Sequence, residues 1–146
     1  MHNSYDRNNL FFSFPETWIL DDENAPDSVT VLGPNGSFWC VRRESSDTPL
    51  ESIFSQATDA MRQEYAELEV ESTRDTIEGI TLAGIDLHFF CLDLTGTASI
   101  RVWDSEDAKL VIFTQAEDQQ LQQVQSAFNA ITASLVRGRE DRPIAN

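Results

Sequence analysis

Strand-like segments that are apolar on both faces constrain this chain more than any other feature of its sequence. In residues 37–43, Phe38 and Cys40 share one face of an extended backbone while Trp39 and Val41 share the other, because successive side chains alternate. Leu110 and Ile112 oppose Val111 and Phe113 in the same way. A sheet built from such strands must be covered above and below. Two segments can supply the cover. Leu50, Ile53, Phe54, Ala57, Met61 and Tyr65 recur at spacings of three and four, predicting a helix from Pro49 to about Glu67. Thr48-Pro49-Leu50-Glu51 reads as its start, with Thr48 as cap, Pro49 at the first helical position and Glu51 closing a capping box. Leu121, Val124, Phe128, Ile131 and Leu135 form a second stripe, predicting a helix from about Asp118 to Val136 with Arg137 and Gly138 at its exit.

Between the helices lies a second set of strands. Leu68, Val70 and Ser72 alternate in a mostly polar, peripheral strand. Gly79 and Gly84 bracket Ile80-Thr81-Leu82-Ala83 and lead into a strand from Ile85 to Leu94, with a partner from Thr97 to Trp103. Taking Thr95-Gly96 as a two-residue loop sets Leu87, Phe89 and Cys91 on one face with Val102, Ile100 and Ala98. The opposite face collects His88, Phe90, Leu92, Ser99, Arg101 and Trp103. Nearer the start, Phe12-Ser13-Phe14-Pro15 runs as a strand into a turn that delivers Trp18. Short strands follow at Trp18 to Leu20 and Val29 to Leu32, and Gly33-Pro34-Asn35-Gly36 turns the chain into Ser37 to Arg43. The expected architecture is α+β, an α-β-α sandwich with a mainly antiparallel sheet and helices on both faces, leaving no room for a reactive cleft. Residues 10–136 form one domain, and residues 1–9 and 137–146 are read as disordered tails.

A chain of 146 residues can bury about 70% of its unfolded surface. Its formal charge of -15 repels phosphate backbones, which excludes nucleic acid as a natural partner and otherwise reads as a device for solubility. No segment is long and apolar enough to span a bilayer, and no signal peptide or lipidated cysteine is evident, so a cytoplasmic location is expected. Cys40 and Cys91 fall inside predicted strands and read as small buried hydrophobes in a reducing compartment.

Reactive constellations are sparse. His88 and Cys91 are three residues apart on a strand and project to opposite faces, so they cannot share a proton. Asp104-Ser105-Glu106-Asp107 lacks the alternating ligands, glycine and distal glutamate of a calcium loop. No nucleophile elbow, zinc-protease pair or phosphate loop occurs. No catalytic, cofactor-binding or metal-binding residue is assigned and no cofactor is expected. His88, Phe90, Arg101 and Trp103 are the candidate partner-binding residues, since arginine with aromatic side chains is the composition of recognition surfaces and Arg101 could stack on Trp103.

The order Phe12-x-Phe14-Pro15-x-x-Trp18, Gly33-Pro34-Asn35-Gly36, Gly79 with Gly84, and Phe128-x-x-Ile131-x-x-Ser134 resembles the PsbP-like family over roughly Leu10 to Leu135. That family also contains the nuclear import factor that binds the GTPase Ran. The resemblance implies an α-β-α sandwich of non-enzymatic proteins, among them photosystem assembly subunits, bacterial lipoproteins and adaptor chaperones for type VI secretion effectors. Without a targeting segment, the cytosolic adaptor branch matches best. The functional expectation is a non-catalytic protein-binding or adaptor module. A carrier or chaperone for a hydrophobic ligand or helix is the first alternative, and an enzyme without a familiar motif the second.

Overall fold

A computed structural model describes residues 1–138. A seven-stranded, wholly antiparallel sheet forms its middle layer. Its strands are β3 (Ile19–Asp21), β4 (Ser28–Leu32), β5 (Phe38–Glu44), β6 (Glu67–Ile77), β7 (Ile80–Cys91), β8 (Leu94–Asp104) and β9 (Lys109–Glu117). They lie in the order β3-β4-β5-β9-β8-β7-β6. Two further strands, β1 (His2–Arg7) and β2 (Leu10–Pro15), form a separate hairpin. The helices are α1 (Leu50–Glu64) and α2 (Asp118–Arg137).

Alternation across β5 and β9 divides the molecule into two cores. Trp39, Val41, Leu110 and Ile112 face α2 and the β1–β2 hairpin, packing with Phe12, Phe14, Phe128, Ile131 and Leu135. The other face of the sheet packs Ile85, Leu87, Phe89, Ala98, Ile100 and Val102 against Ile53 and Met61 of α1. Trp39 is fully buried, and its indole Nε1 donates to Thr132 Oγ1 of α2 at 3.0 Å. Ser134 Oγ accepts from the Ser13 amide at 2.8 Å, tying β2 to α2.

The two roofs do not coincide. α1 packs on β6, β7 and β8, whereas α2 packs on β2, β8 and β9 with some reach to β6. The β1–β2 hairpin contributes to the core that buries β4 and β5 from the α2 side. Each half of the sheet is therefore roofed on one face and partly open on the other. This corrects the expected absence of a cleft: two half-open cavities of about 630 and 570 Å³ lie diagonally across the sheet.

Several boundaries also differ from expectation. Residues 1–9 are not a tail, because Asn8 and Asn9 both take left-handed φ values, 55° and 62°, and fold β1 back along β2. Asparagine tolerates this region, and paired left-handed residues give the twist a tight hairpin needs. Tyr5 stacks on Phe12 with centroids 5.3 Å apart, so β1 is anchored by an aromatic in the core. At the other end, Arg137 closes α2 and Gly138 ends it at φ 64°, while the rest of the expected tail, 139–146, lies outside the described residues. Pro49 occupies the cap position of α1, one residue later than expected, so Thr48 makes no capping hydrogen bond and the box with Glu51 does not close. The helix ends at Glu64, not Glu67. β7 runs unbroken through Gly84, and the preceding turn is made by Glu78 and Gly79.

The β7–β8 hairpin turns at Leu92-Asp93, with Cys91 opposite Leu94, not at Thr95-Gly96. Gly96 is needed inside the strand. A Cβ there would lie 2.1 Å from Cζ of Phe89, whose ring covers the glycine and stacks on Tyr65 of the α1 end at 4.2 Å. The displacement is an even number of residues, so every side chain keeps its expected face while its cross-strand partner changes.

Candidate functional site

That change of register decides what becomes of the residues singled out in the sequence. A loop at Thr95-Gly96 would set His88 opposite Trp103 and Phe90 opposite Arg101, gathering the four into one patch. In the structure His88 lies opposite Thr97, Phe90 opposite Thr95 and Arg101 opposite Gly84. Arg101 is thus four residues, roughly 13 Å, along β8 from the partner of His88. His88 and Arg101 line the same cavity; Phe90 and Trp103 do not. Trp103 packs against the hydrophobic core beneath α2.

The cavity that holds His88 and Arg101 lies between α2 and the β6–β7–β8 half of the sheet. Arg101 belongs to a charged cluster on its floor. Nε donates to Asp75 Oδ2 at 2.6 Å, and Nη1 donates to the carbonyls of Ile85 and Ile100 at 3.2 and 3.0 Å. Asp86 Oδ1, itself buried, also lies 2.9 Å from Nη1 as an ion pair. Burial by itself would lower the pKa of the guanidinium, but the hydrogen bonds and charges of Asp75 and Asp86 overcome it and raise the pKa above its ordinary value. The arginine side chain is only 13% exposed, and its Nε and Nη1 are engaged by these partners.

His88 belongs to a second network. Thr97 Oγ1 donates to Asp118 Oδ1 at 2.8 Å and lies 3.2 Å from His88 Nδ1. A hydroxyl has one proton to give, so Thr97 accepts from an Nδ1–H of the imidazole. Nε2 points toward Glu71, 3.9 Å away. The proton of Thr97 goes to the Asp118 carboxylate, so the imidazole is not its acceptor. Cys91 sits at the end of β7 on the opposite face, and Cys40 lies on β5, separated from β7 by β9 and β8.

The second cavity, diagonally opposite, is an apolar groove beside α1. Phe38, Cys40, Val111 and Phe113 form its floor, and Ile53, Ala57, Met61 and Tyr65 form its helical wall. Phe38 and Phe113 stack with centroids 5.5 Å apart. Cys40 is half-buried here, and burial pushes its thiol pKa up, opposed by a hydrogen bond from Thr30 and by Arg42. Cys91, in contrast, is exposed, which corrects its reading as a buried hydrophobe, and both thiols are free. The double-faced apolar pattern of β5 and β9 was the sequence signal for this groove. What the pattern could not give was the placement of α1 across the sheet, over β6, β7 and β8 and beside these strands.

Among the described residues, no three His, Cys, Asp or Glu side chains converge as a metal cluster. No described helix is long and apolar enough to cross a membrane.

The architecture is shared with proteins of known structure. The yeast Ran-binding protein Mog1p superposes with a TM-score of 0.61 over 94% of each chain at 11% identity. PsbP of the cyanobacterium Synechocystis gives 0.56 over 92% of this chain and 89% of its own, at 16% identity. PA94 of Pseudomonas aeruginosa, a protein of unknown function, gives 0.55 over 98% and 99% at 14% identity. The chain has the PsbP-like α+β fold, mostly antiparallel sheet with two helices. No protein-family model matches the sequence. No curated protein matches it either.

Proposed function

We propose that this chain is a non-catalytic binding module whose partner is a protein segment, apolar on one side and basic on the other, seated in the groove beside α1. The observation that carries this reading is the groove itself: aromatic and aliphatic side chains of β5, β9 and α1 line an opening of about 570 Å³ that the described residues leave uncovered. The chain's charge of -15 favours a basic partner and would speed its encounter. A protein partner also agrees with the Ran-binding role of the yeast protein that shares the fold. A cytoplasmic location is part of the same proposal.

The groove also suits a second reading, a carrier for a small apolar ligand, and one pair of measurements separates the two. Ala60 lines the groove and is exposed on α1, so Ala60→Arg fills the opening without disturbing the core. Gln123→Arg, on an exposed position of α2, serves as the control. Affinity capture from native lysate is expected to retain a stoichiometric protein with the parent chain and with Gln123→Arg, and to lose it with Ala60→Arg. Capture indifferent to Ala60→Arg would remove the groove from the account. Retention of extra small-molecule mass in native mass spectrometry, with no protein captured, would establish the carrier instead.

A further inference from the structure

We propose that the cavity between α2 and β6–β8 is a binding site for an alkylammonium group, a primary amine carried on an apolar stem. It lies on the opposite face of the sheet from the α1 groove and does not depend on the function assigned there. The charge of its floor determines the sign of the ligand. Asp75 and Asp86 face a single arginine, leaving one negative charge in excess, and Asp118 and Glu71 extend the negative field along the network around His88. Arg101 engages both carboxylates and two backbone carbonyls through Nε and Nη1, so its charge is matched within the floor. Oxygen acceptors are in surplus: the side chain of Asp86 is 20% exposed although Oδ1 is buried, and the hydroxyls of Ser99 and Thr114 line the same space. An ammonium supplies three donors and a positive charge to such a floor. The helical wall is mixed: Leu121, Phe128 and Ala133 offer apolar surface to a hydrocarbon stem beside Gln125, Asn129 and Thr132. The opening, about 630 Å³, is large enough for a chain of several methylenes.

One chemistry could come from a free amine or from a lysine side chain of another protein, and the probes separate them. Amide resonances of Thr97, Ser99 and Phe128 would be followed during titration with cadaverine, with Nα-acetyl-lysine amide, and with hexanoate. Saturable shifts with either amine and none with hexanoate are expected. Tighter binding of cadaverine would assign a free amine, and tighter binding of the lysine derivative a side chain. Asp86→Asn should weaken amine binding at least about tenfold, since a charged hydrogen bond is lost. Asp86 also pairs with Arg101, so a second variant keeps the test independent of folding: Asn129→Arg, on an exposed residue that lines the cavity, should weaken binding as much by placing a cation there. Equal binding of hexanoate, an absence of saturable shifts, or amine binding that survives Asn129→Arg would overturn the proposal.

Discussion

Trp39 spends its one polar atom on Thr132, and both groups are buried, so the pair is a point where a single atom decides the energy of the core. Thr132→Val keeps the shape of the side chain and leaves an indole N–H without a partner. The expected cost is about 1–3 kcal/mol in chemical denaturation, and a change too small to measure would mean that the hydrogen bond contributes nothing. The two thiols differ for a related reason. Cys91 is exposed at a strand end, whereas burial raises the pKa of Cys40. Iodoacetamide at neutral pH should therefore modify Cys91 well before Cys40. Because the folded-state pKa of Cys40 is raised, its contribution to stability is fully present below the ordinary thiol value, about 8.5, and is lost as pH rises through the folded value. Cys40→Ala should lack that alkaline loss; a stability curve of unchanged shape would contradict the assignment.

At the scale of elements, α1 shows how a local signal can be outweighed. Thr48 and Glu51 have the spacing of a capping box, but Pro49 takes the cap position and leaves the threonine side chain without a role at the helix start. Thr48→Ala should change stability by less than about 0.5 kcal/mol. Ile53→Ala, at a fully buried position under the same helix, should cost about 2–5 kcal/mol. Equal effects of the two substitutions in urea denaturation would show that the helix is held by its cap after all. Periodicity made both helices legible, and alternation gave the faces of β5, β7, β8 and β9. Turn chemistry was legible only in part. Asn8-Asn9 is itself a hairpin signal, but the polar residues around it resemble a tail until Tyr5 is seen stacked on Phe12. Gly96 reads as a turn glycine because nothing local shows that the ring of Phe89 needs its vacant space. The even displacement that followed preserved the faces and dispersed the partner-binding patch. His88 and Arg101 were thus placed on the correct face, while their true neighbours, Asp75, Asp86 and Asp118, come from β6, β7 and the start of α2, where no sequence spacing connects them.

The whole molecule is a sheet roofed diagonally. α1 covers β6–β8 from one side, α2 and the β1–β2 hairpin cover β4, β5 and β9 from the other, and the two quarters that the described residues leave open become cavities of opposite character. One is apolar, with stacked phenylalanines on its floor; the other is polar, with a buried arginine between two aspartates. A sequence can announce that a sheet needs cover on both faces, but how far each helix extends over it is settled by packing between distant segments. The apolar quarter is the surface on which the proposed function rests. Hydrogen exchange of the chain, free and in complex with its captured protein partner, tests that claim most directly: amides of residues 38–44, 53–65 and 110–115 should exchange more slowly in the complex. Slowing confined to β1–β2 or to the outer face of α2, with the α1 groove unchanged, would contradict it.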